Sequence, residues 1–204
     1  MSFQKIPSDI LENKEFKYCR LMEQESVYWF GSVSSTMDVA VYLIEDGITG
    51  IIVAEEQTSG RGRYGKKWFS PSGGLYCSWV MKAEERFPFF LSEVVALSLV
   101  ETMRFFRIIC NIRFPNDIIS QGKKLAGILI ERKEDFYNVG IGINVNNKVS
   151  CVESGISMNL ILDRTIDEIE EVLKRFIICL HINKKNFSEN ENFYLKKWSD
   201  NLIK

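Results

Sequence analysis

Histidine is nearly missing from this 204-residue chain: the single one, His181, lies in a stretch that reads as a C-terminal helix. Its isolation removes Ser-His-Asp triads, Cys-His pairs and H-E-x-x-H metalloenzymes from consideration, and His181 itself reads as structural. The five cysteines (Cys19, Cys77, Cys110, Cys151, Cys179) are odd in number and form no C-x-x-C pair. That pattern argues against a zinc site and for reduced thiols packed as small core residues. No apolar run approaches the ~18 residues of a membrane span, and Met1–Asp9 lacks the apolar core of a signal peptide. A cytoplasmic protein with no membrane partner is expected. No sign of charge dominates either. With 26 Lys+Arg against 27 Asp+Glu the net charge is −1, so any attraction for an anion must be local. There is no repeat, low-complexity tract or linker. A hydrophobic content of 46% and a charged content of 26% fit one soluble domain spanning residues 1–204. Whatever chemistry the chain performs must rest on positioning and charge.

What is present is concentrated in a few segments. The most informative is Gly60-Arg61-Gly62-Arg63-Tyr64-Gly65-Lys66-Lys67-Trp68, which follows an apolar strand, Gly50–Glu55. Its glycines let the backbone come close to a ligand. Its cations, with no acid among them, can direct guanidinium forks and N–H groups at phosphate or carboxylate oxygens. It is not a P-loop, because no Ser or Thr follows Lys66-Lys67, and no apolar helix opens after Gly65 as a dinucleotide fingerprint requires. By itself the run reads equally well as a solvated basic turn.

Around it, Ser26–Val33 reads as a strand rich in β-prone residues. Ser35-Thr36-Met37-Asp38 resembles a capping box opening a helix through Glu45, which Gly47 helps to end. Pro71–Gly74 is a turn before a strand over Leu75–Met81, and Phe89–Arg107 is apolar around most of its circumference, as a buried helix would be. Asp117–Ser120 and Lys124–Lys133 flank a Gln121-Gly122 turn, and Phe136–Asn144 follows. Thr165–Glu168 is a second capping-box candidate before a helix carrying Ile169, Val172, Leu173, Phe176 and Leu180, and a last helix covers Glu191–Leu202. The fold expected is α+β, a mixed, largely antiparallel sheet with helices packed against it.

Two further segments are chemically suggestive. Arg113-Phe114-Pro115-Asn116-Asp117 presents an amide and a carboxylate from a proline-stiffened turn; beside a phosphate this pair would suit magnesium, while alone it reads as an ordinary turn. In Lys123-Lys124-Leu125-Ala126-Gly127 alternation lets only one lysine face inward, and periodicity does not choose between them. Gly140-Ile141-Gly142-Ile143-Asn144 places two glycines on one face of a strand, open either to an elongated ligand or to a tightly packed helix.

In this order the segments resemble the biotin protein ligase family, over roughly Ser35 to Asn146. Ser35-Thr36 matches its Ser-Thr-Asn helix start, Gly60–Gly65 its glycine–arginine loop, and Arg113–Asp117 its Lys-Trp-Pro-Asn-Asp. Lys124–Leu129 and Gly140–Asn144 complete the set. The resemblance implies an ATP- and Mg2+-dependent enzyme that makes biotinyl-5′-AMP and passes biotin to a lysine of a biotin carboxyl carrier domain. It implies a biotin site at Ser35, Thr36, Met37, Gln57, Gly60, Arg61, Gly62, Arg63 and Lys124, with Gly127, Gly140 and Gly142 flooring the channel. It implies an ATP site at Arg63, Trp68, Asn116, Lys124 and Asn144, with Trp68 stacking on adenine. Asp117 would serve the metal, and Arg61, Arg63 and Lys124 would be the catalytic cations. There are departures. Met37 replaces the family's Asn, and Arg113 and Phe114 replace its Lys and Trp. Only 34 residues precede Ser35, so no N-terminal winged helix and no DNA partner are expected, and the small C-terminal β-barrel is expected to be absent. Oligomeric state stays open, a homodimer included. The competing readings are a lipoate or octanoate ligase or transferase of the same fold, a nucleic-acid-binding module, and a ligand-binding pseudoenzyme.

Overall fold

The computed structural model describes residues 17–21, 25–83, 90–149 and 154–203. Among the described residues are eight strands: β1 (Lys17–Leu21), β2 (Glu25–Val33), β3 (Gly50–Gln57), β4 (Leu75–Lys82), β5 (Asn111–Arg113), β6 (Asp117–Ser120), β7 (Lys123–Lys133) and β8 (Phe136–Ile143). They hydrogen-bond in the order β1-β2-β3-β4-β8-β7-β6-β5. The β2–β3 pair is parallel, whereas β1–β2, β3–β4, β5–β6 and β6–β7 are antiparallel. Five helices accompany them: α1 (Thr36–Glu45), α2 (Leu91–Phe105), α3 (Met158–Leu162), α4 (Ile169–Glu189) and α5 (Glu191–Asp200). This is the mixed sheet with packed helices expected. The short β1, β5 and α3 lay outside the sequence reading. No helix among the described residues is long and apolar enough to cross a membrane.

The chain divides into two compact units. The first contains residues up to 84 together with Leu129–Gly142. Val39, Ala40, Leu43 and Ile44 recur at helical spacing, giving α1 one apolar face. That face joins Tyr28, Phe30, Ile52, Val80 and Phe136 in a buried cluster. After Glu45 the chain turns at Gly47, whose φ of +67° suits a residue without Cβ, and the Ile48 N–H returns to the Leu43 carbonyl at 2.8 Å.

The second unit contains residues 85–128 and 143–204. Helix α2 is buried over most of its length and packs on α4, with the Phe90 and Phe187 rings 4.9 Å apart. The expected capping box at Thr165 is not formed. The helix begins four residues later, at Ile169, behind an N-cap Glu168 that makes no side-chain cap bond. The reason lies at Ile166, whose N–H and carbonyl are held by the Asn146 side-chain amide at 3.0 and 2.8 Å. That segment is therefore tied extended before the helix can start. The last helix also stops short, because the Asn201 carbonyl and Ile203 N–H pair with Ile112.

Candidate active site

In the first unit, a lattice of small polar groups surrounds the start of α1. Ser35 is its extended N-cap and accepts from the Met37 N–H at 3.3 Å. Gln57, the last residue of β3, accepts from the Thr36 N–H at 2.8 Å and from the Thr36 hydroxyl at 3.2 Å. Thr36 Oγ1 accepts in turn from Ser78 Oγ at 2.8 Å, and Gln57 Nε2 donates to Ser70 Oγ at 2.8 Å. Ser35, Thr36, Ser70 and Ser78 are all buried, so these bonds satisfy groups that would otherwise be costly away from water.

The glycine–arginine loop closes on this lattice. Thr58 and Ser59 donate to the Val33 and Ser34 carbonyls, Gln57 pairs with Ser70 and Arg61 with Lys67, and the Trp68 N–H reaches the Gly60 carbonyl at 2.9 Å. A Cβ on Gly60 would lie 2.7 Å from the Trp68 carbonyl oxygen, so the crossing admits only glycine. Arg63–Gly65 forms one 3₁₀ turn in which Tyr64 takes a left-handed φ of 57°. Arg63 Nη2 donates to the Tyr64 hydroxyl at 3.0 Å, and the guanidinium lies over that ring. Arg61 turns the other way. It contacts Asp38 through Nη1, Glu131 through Nε and Nη2 at 3.4 and 3.2 Å, and Ser35 Oγ at 3.4 Å. Partial burial disfavours its charge, but Glu131 and Asp38 outweigh that and hold its pKa above the ordinary value.

Gly140 and Gly142 share one face of β8. A Cβ at Gly140 would meet Met37 Sδ at 2.5 Å, and one at Gly142 would meet the Trp68 indole at 2.5 Å. One glycine thus receives the helix-borne Met37 and the other receives Trp68, both of them candidate ligand contacts.

The remaining site residues belong to the second unit. Asn116 pairs with Ile128, its Nδ2 donating to the carbonyl and its own carbonyl accepting the Ile128 N–H, both at 2.9 Å. Asp117 stands opposite the buried Gly127. Ile118 pairs with Ala126 but Ile119 with Lys124, a bulge that breaks the alternation of β7 at Leu125. Lys124 is half-buried with Nζ 2.6 Å from Asp117 Oδ1, whereas Lys123 is exposed. Asn144 is buried, donating to the Lys124 carbonyl at 3.3 Å and accepting from Asn147 at 3.0 Å. Among the described residues no cluster of three metal-ligating side chains occurs. Asp117 and Asn116 instead offer one carboxylate and one amide, a donor set suited to an ion that brings phosphate oxygens and waters with it.

The family model for the biotin/lipoate A/B protein ligases matches residues 30–146, more than half of the chain. The chain belongs to this family. The bifunctional ligase/repressor BirA of Salmonella typhimurium is 36% identical over 167 residues, covering 74% of this chain and 52% of that protein. The biotin–[acetyl-CoA-carboxylase] ligase of Mycobacterium tuberculosis is 28% identical over 144 residues, 61% of this chain and 53% of that one. The chain thus spans about half the length of these relatives. Among solved structures, the biotin protein ligase of Aquifex aeolicus in complex with biotin and ATP superposes with a TM-score of 0.73 at 32% identity, covering 82% of this chain and 73% of that chain.

Sequence reasoning missed several members of the lattice. Ser70 and Ser78 give no motif signal. Asp38 was noticed as the acid of a capping box, yet its carboxylate is taken by Arg61. Glu131 lies on β7 and belongs to no motif. The signal that would have found both acids is the basic loop itself, four cations with no acid among them.

Proposed function

We propose that this chain carries the catalytic activity of a biotin protein ligase, acting in the cytoplasm. The observation that carries this reading is the α1 terminus. Ser35, Thr36, Gln57 and Arg61, which the resemblance assigns to one ligand, meet there in two hydrogen-bonded pairs on adjacent residues of the chain, Thr36 with Gln57 and Ser35 with Arg61. In the first step a biotin carboxylate oxygen attacks the α-phosphorus of MgATP and the bond to pyrophosphate breaks, leaving biotinyl-5′-AMP. Negative charge accumulates on the transferring group, so fixed cations contribute most; the resemblance assigns Arg61, Arg63 and Lys124 to it, of which Arg63 and Lys124 are proposed as the direct contacts. In the first unit Ser35, Thr36, Met37, Gln57, Gly60 and Gly62 would seat biotin with Gly140 and Gly142, and Trp68 would serve ATP; in the second, the resemblance assigns Gly127 to biotin and Asn116 and Asn144 to ATP. Asp117 would offer its carboxylate to the nucleotide's magnesium, in exchange for its present contact with Lys124. In the second step the neutral amine of a carrier-domain lysine attacks the acyl carbon and AMP leaves. That lysine is the nucleophile, so none is required of the enzyme.

The test is pyrophosphate release from MgATP by the purified protein with biotin, lipoate or octanoate, with mass spectrometry of the product. Biotinyl-AMP is expected. Turnover with lipoate or octanoate alone would keep the fold and change the substrate. Silence with all three would overturn the reading, and a salt titration of nucleic-acid binding would follow.

A further inference from the structure

Arg61 carries five N–H donors in a rigid fork. Nε and Nη2 hold the two oxygens of Glu131, while Nη1 meets Asp38 and Ser35 Oγ. Four donors are thereby committed, leaving at most one N–H on Nη2. A bidentate grip on a ligand carboxylate or phosphate needs two parallel donors, which Arg61 cannot present without releasing an acid. The local charge says the same, since one guanidinium between two carboxylates leaves a net negative group, unsuited to attract an anion. The three acid and hydroxyl partners sit on two elements: Ser35 and Asp38 at the start of α1, Glu131 on β7. Arg61 therefore fastens the loop at a position just after Gly60, where the chain crosses under Trp68.

The geometry points to Asp38 and Glu131 as positioning residues. They fasten the glycine–arginine loop through Arg61 before biotin arrives, leaving the grip on the ligand's anion to cations other than Arg61. The part of this inference that concerns catalysis rests on the biotin-adenylating reading; the part that concerns loop order does not. Glu131→Gln and Asp38→Asn keep size and remove charge, so each should loosen the loop without altering a reacting group.

The experiment uses the full chain and two readouts. Without added biotin, limited trypsin digestion should cut after Arg61, Arg63, Lys66 or Lys67 at least fivefold faster in the Asp38→Asn/Glu131→Gln double variant than in the wild type, with an unchanged far-UV spectrum. Glu131→Asp, which keeps the charge, should cut more slowly than Glu131→Gln. In steady-state pyrophosphate release the KM for biotin should rise at least fivefold while kcat stays within twofold, because a fastened loop is one already ordered for binding. Unchanged cleavage would overturn the inference, as would a lowered KM, which would make the acids competitors of the ligand. A fall in kcat at constant KM would overturn it too. If the wild type makes no pyrophosphate, the activity reading fails and the cleavage rates alone decide for or against the tether. If the double variant does not fold, the single variants are judged by the same two criteria.

Discussion

The polar groups around α1 and those around the Asn116–Asp117 turn are built in opposite ways. At α1, side chains bond mostly to one another across separate elements: Thr36 to Gln57 and Ser78, Gln57 to Ser70, Arg61 to Ser35, Asp38 and Glu131. Around Asn116 and Asn144, side-chain amides bond to backbone carbonyls and finish the strand ladder, and the charge is confined to Lys124 and Asp117. The first arrangement is a coupled network, in which removing one group strands its partners. The second is a scaffold holding one charged pair. Function should therefore fail in different ways when each is damaged: diffusely around α1, sharply at Lys124.

The largest test of that contrast is Lys124→Ala, expected to lower adenylation by about 100-fold or more, the scale of losing one aligned charge-stabilising group, while Lys123→Ala stays near wild type. Equal losses in pyrophosphate release would break the contrast. Thr36→Val should destabilise by about 1–3 kcal/mol, since it leaves Ser78 and Gln57 with unmade bonds in a buried setting; urea midpoints measure it. Gly142→Ala should cost about 1–3 kcal/mol by overpacking against the rigid indole of Trp68. Gly140→Ala should cost less, because Met37 meets the new methyl with a flexible thioether; thermal midpoints in the reverse order would sink the packing account. The smallest expected effect concerns pH. Burial pushes the Cys77 and Cys110 thiols from 9.0 up to about 12, so the unfolded chain loses these protons first. Their contribution is intact below pH 9 and is lost as pH rises toward 12. A fall on the order of 1 kcal/mol between pH 8 and 9.5 is expected, and Cys77→Ala should blunt it.

Much of the fold was legible because it follows local rules. The strands β2, β3, β4, β7 and β8 announce themselves by β-prone apolar runs, and α1 by a serine cap and an apolar face. Where the reading failed, a distant partner had intervened. Asn146 holds Ile166 extended and displaces the start of α4; Ile112 captures the backbone that would have prolonged α5. Of the candidate site, the motifs named most of the residues, but not what occupies them. Ser70, Ser78, Asp38 and Glu131 entered only through contacts with groups far away in sequence.

The sequence by itself determined the family, through glycines, cations and a Pro-Asn-Asp turn in a fixed order, because these residue types are constrained by the ligand chemistry they serve. It also determined which segments are apolar enough to be buried. The tertiary structure decided three things. A bulge at Leu125 selected Lys124 over Lys123, the pairing of β8 with its neighbours filled two glycine faces with Met37 and Trp68, and the approach of α1 and β7 to the loop put two carboxylates on Arg61. Each depends on where a side chain lands across 20 or more residues of intervening chain or on a local break in alternation, and neither is written in the spacing of residue types.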